Sequence, residues 1–218
     1  MTSAPRIRTI PVGPLQCNCS ILLDEATGEA LVVDPGDEPD KILRALDAMK
    51  ARPVALLHTH AHFDHIGGTR GVKEKTGAAI RLHPADLPLY DALADQAAMF
   101  GITAGAPLPV DSPIADGETI SFGRHSVTAI HTPGHTPGSV SLLGVDDGLL
   151  FSGDTLFASG WGRTDLPGGS EEAIVESLIR LSELEPPTAV LPGHGAETTI
   201  RRELPWLESL RATRRLPF

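Results

Sequence analysis

Between Thr59 and Gly68 the sequence reads THAHFDHIGG, which packs His60, His62, Asp64 and His65 into six residues. A neutral imidazole is a good ligand for zinc, iron or manganese, and a carboxylate adds charge compensation. Buried without a cation, the same groups would need partners for many polar atoms and one charge. The plainer alternative for this string alone is a His-rich surface loop.

Three further residues of ligand type recur at the ends of predicted strands. His135 lies in HTPGHTPG (131–138), Asp154 in FSGDT (151–155) and His194 in PGHG (192–195). Each stands beside glycine, which lets backbone approach a bound ion closely. Any one alone would be weak, but five His and two Asp in four strand-end loops point to a metal site. Asp34 at another strand tip suits either a hydrogen bond to a ligand imidazole or a turn cap. Thr59 and Thr155, each beside a candidate ligand, suit positioning roles. His131 reads as structural, and His58, His83 and His125 as structural or exposed.

The elements that must hold these groups follow from periodicity. Residues 6–12 alternate as a half-buried strand, and 18–24 with 29–34 read as a hairpin turning at 25–28. Leu31-Val32-Val33 is apolar on successive positions, so both of its faces should be covered. A helix is predicted over 38–50, a strand over 54–57, a helix from the Gly67-Gly68 pair to about Thr76, and a strand over 78–82. One or two helices should occupy 85–110, with Met99, Phe100 and Ile102 as packing residues. A second series has strands at 118–122, 126–131, 138–143, 148–152 and 188–191, a Gly-rich loop at 153–169, and two helices. The first of these is capped by Ser170 and buries Ile174, Leu178 and Leu181; the second ends near Arg215. Two strand-then-helix halves assemble naturally as a two-layer β core with helices outside.

The 218 residues are 41% hydrophobic and 21% charged, as in an ordinary globular protein. A net charge of −10 argues against a nucleic-acid partner, and no apolar run approaches a membrane span. The late basic run, Arg201-Arg202 and Arg211–Arg215, is interleaved with acids and reads as a solvated helix face. Cys17 and Cys19 are too close for an unstrained disulfide, so free thiols and the cytoplasm are expected.

THAHFDHIGG with His135, Asp154 and His194 resembles the metallo-β-lactamase superfamily, and within it the glyoxalase II (hydroxyacylglutathione hydrolase) branch, over residues 6 to about 200. The resemblance implies an αββα sandwich, here one domain over 1–218. It puts His60, His62 and His135 on one divalent ion, Asp64, His65 and His194 on a second, and Asp154 between them. Zinc is the first expectation; iron and manganese suit the same ligands. The implied reaction is thioester hydrolysis by a metal-bridging hydroxide, with Asp64 and Asp154 in the catalytic set. Superfamily members that are true β-lactamases carry Cys where this chain has Asp154, which disfavours antibiotic hydrolysis. Arg163 matches a basic residue that contacts the glutathione carboxylate; it could equally pair with Asp165. The C-terminal helical glutathione-binding domain is not expected here, and Ala196 replaces a family tyrosine. The expected partner is therefore a small thioester with an open choice of thiol carrier, and oligomeric state is unread. A mononuclear iron persulfide dioxygenase is the nearest alternative, followed by a lactonase and a non-catalytic metal-binding scaffold.

Overall fold

The computed structural model describes residues 4–144 and 148–217. One mixed sheet runs β1 (Arg6–Val12), β2 (Cys17–Leu23), β3 (Glu29–Val33), β4 (Arg52–Leu57), β5 (Ala79–Leu82), β6 (Ser112–Pro113) in spatial order. Its first three strands are antiparallel, and β3 through β6 are parallel. The second sheet collects β7 (Thr119–Phe122), β8 (His125–His131), β9 (Val140–Gly144), β10 (Leu149–Gly153), β13 (Ala189–Pro192) and β14 (Thr198–Thr199), in the order β14-β13-β10-β9-β8-β7. A small hairpin, β11 (Leu156–Phe157) with β12 (Gly160–Trp161), projects from it.

Side-chain alternation decides the layers. Leu31 and Val33 of β3 face the second sheet, where they meet Phe122, Val127, Leu142 and Phe151. Ala30 and Val32, one position off, face outward onto α1 (Pro39–Met49), together with Cys17, Cys19 and Ile21 of β2. The second sheet's outer face buries Leu150 and Val190 against α6 (Glu171–Leu181) and α7 (Ile200–Thr213). The result is helix, sheet, sheet, helix, with three apolar layers. Ile42, Leu46 and Met49 form the buried stripe of α1, and Ser170 caps α6 by accepting from Ala173 N.

Three departures from the sequence reading, and one choice it left open, matter. The His-rich stretch is not all loop: Phe63–Ile66 form one helical turn, α2, before α3 (Thr69–Thr76). Short strands β6, β14 and the β11–β12 pair carry too few residues for a periodic signal. Of the two readings of His125, structural or exposed, the structure selects the first, for it is buried. Met99 and Phe100, expected to pack, are 81% and 59% exposed at the end of α5 (Leu93–Met99), which follows α4 (Leu87–Asp91).

Candidate metal centre

The C-terminal ends of β3, β4, β8, β10 and β13 lie at one edge of the sandwich. They deliver Asp34, the His60–His65 segment, the His135 loop, Asp154 and His194 to the same place. Phe63 and Ile66 bury into the core and so anchor α2, which swings Asp64 and His65 inward. All seven sequence-predicted ligands meet there. His60, His62 and His135 bring ligand atoms within 4.8 Å of one another, as do Asp64, His65 and His194, and His60, His65 and Asp154.

Asp154 lies between the two sets of side chains. Its Oδ1 is 3.6 Å from His65 Nε2, and its Oδ2 is 3.6 Å from His135 Nε2 and 3.7 Å from His194 Nε2. Asp64 Oδ2 is 3.1 Å from His194 Nε2. Ligands held about 2.1 Å from a tetrahedral ion stand roughly 3.4 Å apart, so this spacing suits cations.

The surrounding hydrogen bonds orient the rings. Thr59 donates both its backbone N (2.7 Å) and its hydroxyl (2.6 Å) to the buried carboxylate of Asp34. With that proton committed, Thr59 Oγ1 accepts from His60 Nδ1 at 3.1 Å, which leaves the His60 Nε2 lone pair pointing into the site. Asp34 also accepts from His65 Nδ1 at 3.0 Å. Backbone carbonyls accept two further Nδ1 protons, Arg163 O from His135 at 2.7 Å and Leu15 O from His194 at 3.0 Å, whereas His62 Nδ1 faces His135 Nε2 at 2.9 Å. Such partners fix ligand tautomers and raise ligand basicity.

These bonds create an electrostatic demand. His65 Nε2 and His194 Nε2 lie 3.2 Å apart; with both Nδ1 atoms donating elsewhere, their lone pairs would meet unless a proton or a metal ion stands between them. His60 Nε2 and Asp154 Oδ1 are buried without a hydrogen-bond partner. Burial opposes charge on His65, yet Cys17, Asp154, Asp64 and Asp34 together push its pKa well above the usual imidazole range. His194 shifts upward too: burial opposes the charge, but the bond to Asp64 and the Asp154 carboxylate prevail. Burial also works against ionised Asp64, but His65 and His194 hold it well below the normal carboxylate range. On the other side, burial followed by repulsion from neighbouring imidazoles keeps His60 far below its ordinary value. The same causes pull His62 down to about 3. One half is thus a set of neutral imidazole donors, and the other a carboxylate-rich pocket that calls for positive charge. The donor set and its orphaned atoms fit divalent cations.

Asp34 and Thr59 orient ligands as the spacing suggested. Thr155 does not; its hydroxyl bonds Thr132, at the carbonyl and at Oγ1, and touches no ligand side chain. The Arg163 side chain pairs with Asp165 at 2.7 and 2.5 Å, and that bond first of all lowers Asp165 to about 2. Its contribution to the site is the backbone carbonyl. His131 stacks on His83 and bonds Pro137 O, a structural role as expected.

The sequence reading omits Asp86. This fully buried carboxylate accepts from Ala61 N, Thr136 Oγ1 and Gly138 N at 2.9, 2.8 and 2.6 Å. It thereby ties the His60–His62 segment of one sheet to the His135 loop of the other. Burial raises its pKa against those bonds. Its one sequence signal is its place just after the His83-Pro84 strand end. Asn18 likewise bonds Pro192 O and Gly195 O around His194, and Gln96 bonds Ala61 O and Phe63 N.

The sequence profile of the metallo-beta-lactamase superfamily matches residues 12–194. Hydroxyacylglutathione hydrolase GloC of Haemophilus influenzae is 34% identical, over 93% of this chain and 98% of its own. The solved structure of BLEG-1 B3 metallo-beta-lactamase is 34% identical with a TM-score of 0.86, covering 93% of this chain and 99% of that one. The structure of TTHA1623 in a di-iron-bound form is 40% identical with a TM-score of 0.83, covering 90% and 96%.

Proposed function

The chain belongs to the metallo-beta-lactamase superfamily of metal-dependent hydrolases, and from that premise we propose that it hydrolyses thioesters at a dinuclear centre. The observation that carries the proposal is the convergence of two ligand clusters on the Asp154 carboxylate, with His65 and His194 on one side and His135 with its neighbouring imidazoles on the other. In this reading His60, His62 and His135 hold one ion, Asp64, His65 and His194 hold the other, and Asp154 is shared. Zinc suits these ligands, and the di-iron form of TTHA1623 supports iron as the alternative.

A bound metal pair would lower the pKa of a coordinated water and polarise a substrate carbonyl. The protein's own part is preorganisation. Asp34 and Thr59 hold His65 and His60 in the ligating tautomer, and the Arg163 and Leu15 carbonyls do the same for His135 and His194. The reaction consumes water: the acyl–sulfur bond breaks, a carbon–oxygen bond forms, and the products are a carboxylate, a proton and a thiol. A thiol with pKa about 8.5 departs as the thiolate, so no dedicated acid is required of this site. The likeness to the H. influenzae enzyme supports the thioester class.

A second reading, β-lactam hydrolysis, draws on the likeness to BLEG-1. One set of assays on a single metal-quantified sample separates the readings. Two ions per chain with turnover of S-lactoyl and S-acetyl thiols supports the first, and nitrocefin turnover without thioesterase activity supports the second. One iron per chain with oxygen uptake on glutathione persulfide would replace both with a dioxygenase.

A further inference from the structure

Beside α2 runs a cleft of about 170 Å³. One wall is α2 itself, with Phe63 and Asp64; the other is Leu93, Ala97 and Ile102, and the loop at Gly13-Pro14 closes an end. Asp64 belongs to both the cleft and the metal centre. The same closing loop continues into Leu15, whose carbonyl accepts from His194 and whose side chain is 43% exposed. At the rim Phe100 lays its ring 4.7 Å from that of Phe63 while remaining mostly exposed, with Met99 beside it. Exposed apolar side chains are ordinary singly and meaningful when grouped beside a cleft.

Among the described residues that line the cleft, the charged ones are Asp37 and Asp64, with no Lys or Arg. The sequence-expected cation, Arg163, has its guanidinium engaged by Asp165. A ligand with several carboxylates would meet repulsion here and no bidentate partner. An uncharged hydrocarbon segment would instead cover Ile102 and Phe100 from water.

Resting on the thioester reading for the reacting group, we infer that this cleft is a substrate subsite for an unbranched, uncharged apolar chain attached to the thioester. The preferred substrates are therefore apolar acyl or alkyl thioesters, and glutathione thioesters are poor ones. At about 30 Å³ per small group, the cleft takes a chain of roughly six non-hydrogen atoms. Each buried methylene is worth about fourfold in affinity.

The test uses zinc-loaded protein and two series with N-acetylcysteamine-sized partners, one lengthening the acyl chain from acetyl to octanoyl and the other lengthening the thiol. In one series, which names the side of the thioester that enters the cleft, kcat/KM rises severalfold per methylene and levels near six carbons. S-lactoylglutathione falls below the hexanoyl substrate. Phe100→Ser flattens the slope and Phe100→Leu keeps it. Equal kcat/KM across both series, or preference for the glutathione thioester, overturns the inference while leaving the hydrolase reading intact. If no thioester turns over, the hydrolase reading falls and calorimetry decides the cleft. Binding of the inert thioether S-hexyl-N-acetylcysteamine, with a negative heat-capacity change and loss in Phe100→Ser, supports it; no binding overturns it.

Discussion

At the scale of single residues, the site depends on which lone pairs are left free. Asp154 is the carboxylate that reaches both imidazole sets, so if the proposed dinuclear centre holds, Asp154→Ala loses both ions together rather than one. Metal analysis by mass spectrometry checks this; full occupancy in the variant would contradict the shared role. Gly193 precedes His194, and a β-carbon there would collide with Asp154 Oδ1 and lie 2.7 Å from His65 Cε1. Gly193→Ala should therefore abolish metal binding with little change in far-ultraviolet circular dichroism. Cys17 is buried with Sγ 3.6 Å from His65 Nδ1, and burial pushes its thiol up to about 12. A buried thiol that far above neutrality reacts poorly. Native protein should show no thiol reactive with Ellman's reagent at pH 8, and unfolding should release both cysteines.

At the scale of elements, the two halves of the site come from different sheets and need a bridge. Asp86, between β5 and α4, supplies it through Ala61, Thr136 and Gly138. Asp86→Ala would leave the buried Ala61 and Gly138 amides unsatisfied, at roughly 1–3 kcal/mol for each, while the Thr136 hydroxyl can turn to Ser139 Oγ. The urea midpoint should fall accordingly. Because the bridge joins the His60–His62 segment to the His135 loop, under the proposed dinuclear reading the metal affinity of that set should fall more than that of the Asp64–His65–His194 set, seen as biphasic chelator release.

Over the whole molecule, the edge opposite the site has its own clamp. Asp24, after β2 in one sheet, accepts from Arg124 Nη2 at 2.8 Å and Nε at 3.2 Å at the β7–β8 turn of the other. Those bonds, with Ala26 N and Thr27 Oγ1, hold its pKa well below the usual carboxylate range although burial opposes ionisation. The folded value lies below the unfolded one, near 3.9. The carboxylate thus contributes stability above about pH 4, and that contribution fades as pH falls toward the folded value. The difference in urea midpoint between the protein and Asp24→Asn should be constant from pH 7 to about 5 and shrink below about pH 4. A constant difference down to pH 3 would contradict this. No helix among the described residues is long and apolar enough to cross a membrane.

The sequence alone pointed to the layered fold and to the residues proposed as ligands, because both signals are local. Imidazole density, glycine-flanked strand ends and apolar runs such as Leu31–Val33 are visible in short windows. It also supported the positioning roles of Asp34 and Thr59. Only the tertiary structure decided which lone pairs face each other, since tautomers follow from partners as distant in sequence as Leu15 is from His194. Asp86 was invisible for the same reason: its three donors come from two sheets. Arg163 could pair with Asp165 or reach for a substrate carboxylate on sequence grounds, and the two-residue separation favoured the local partner. Met99 and Phe100 show the converse, since apolar character marks a residue for burial but does not say whether its own chain supplies the cover.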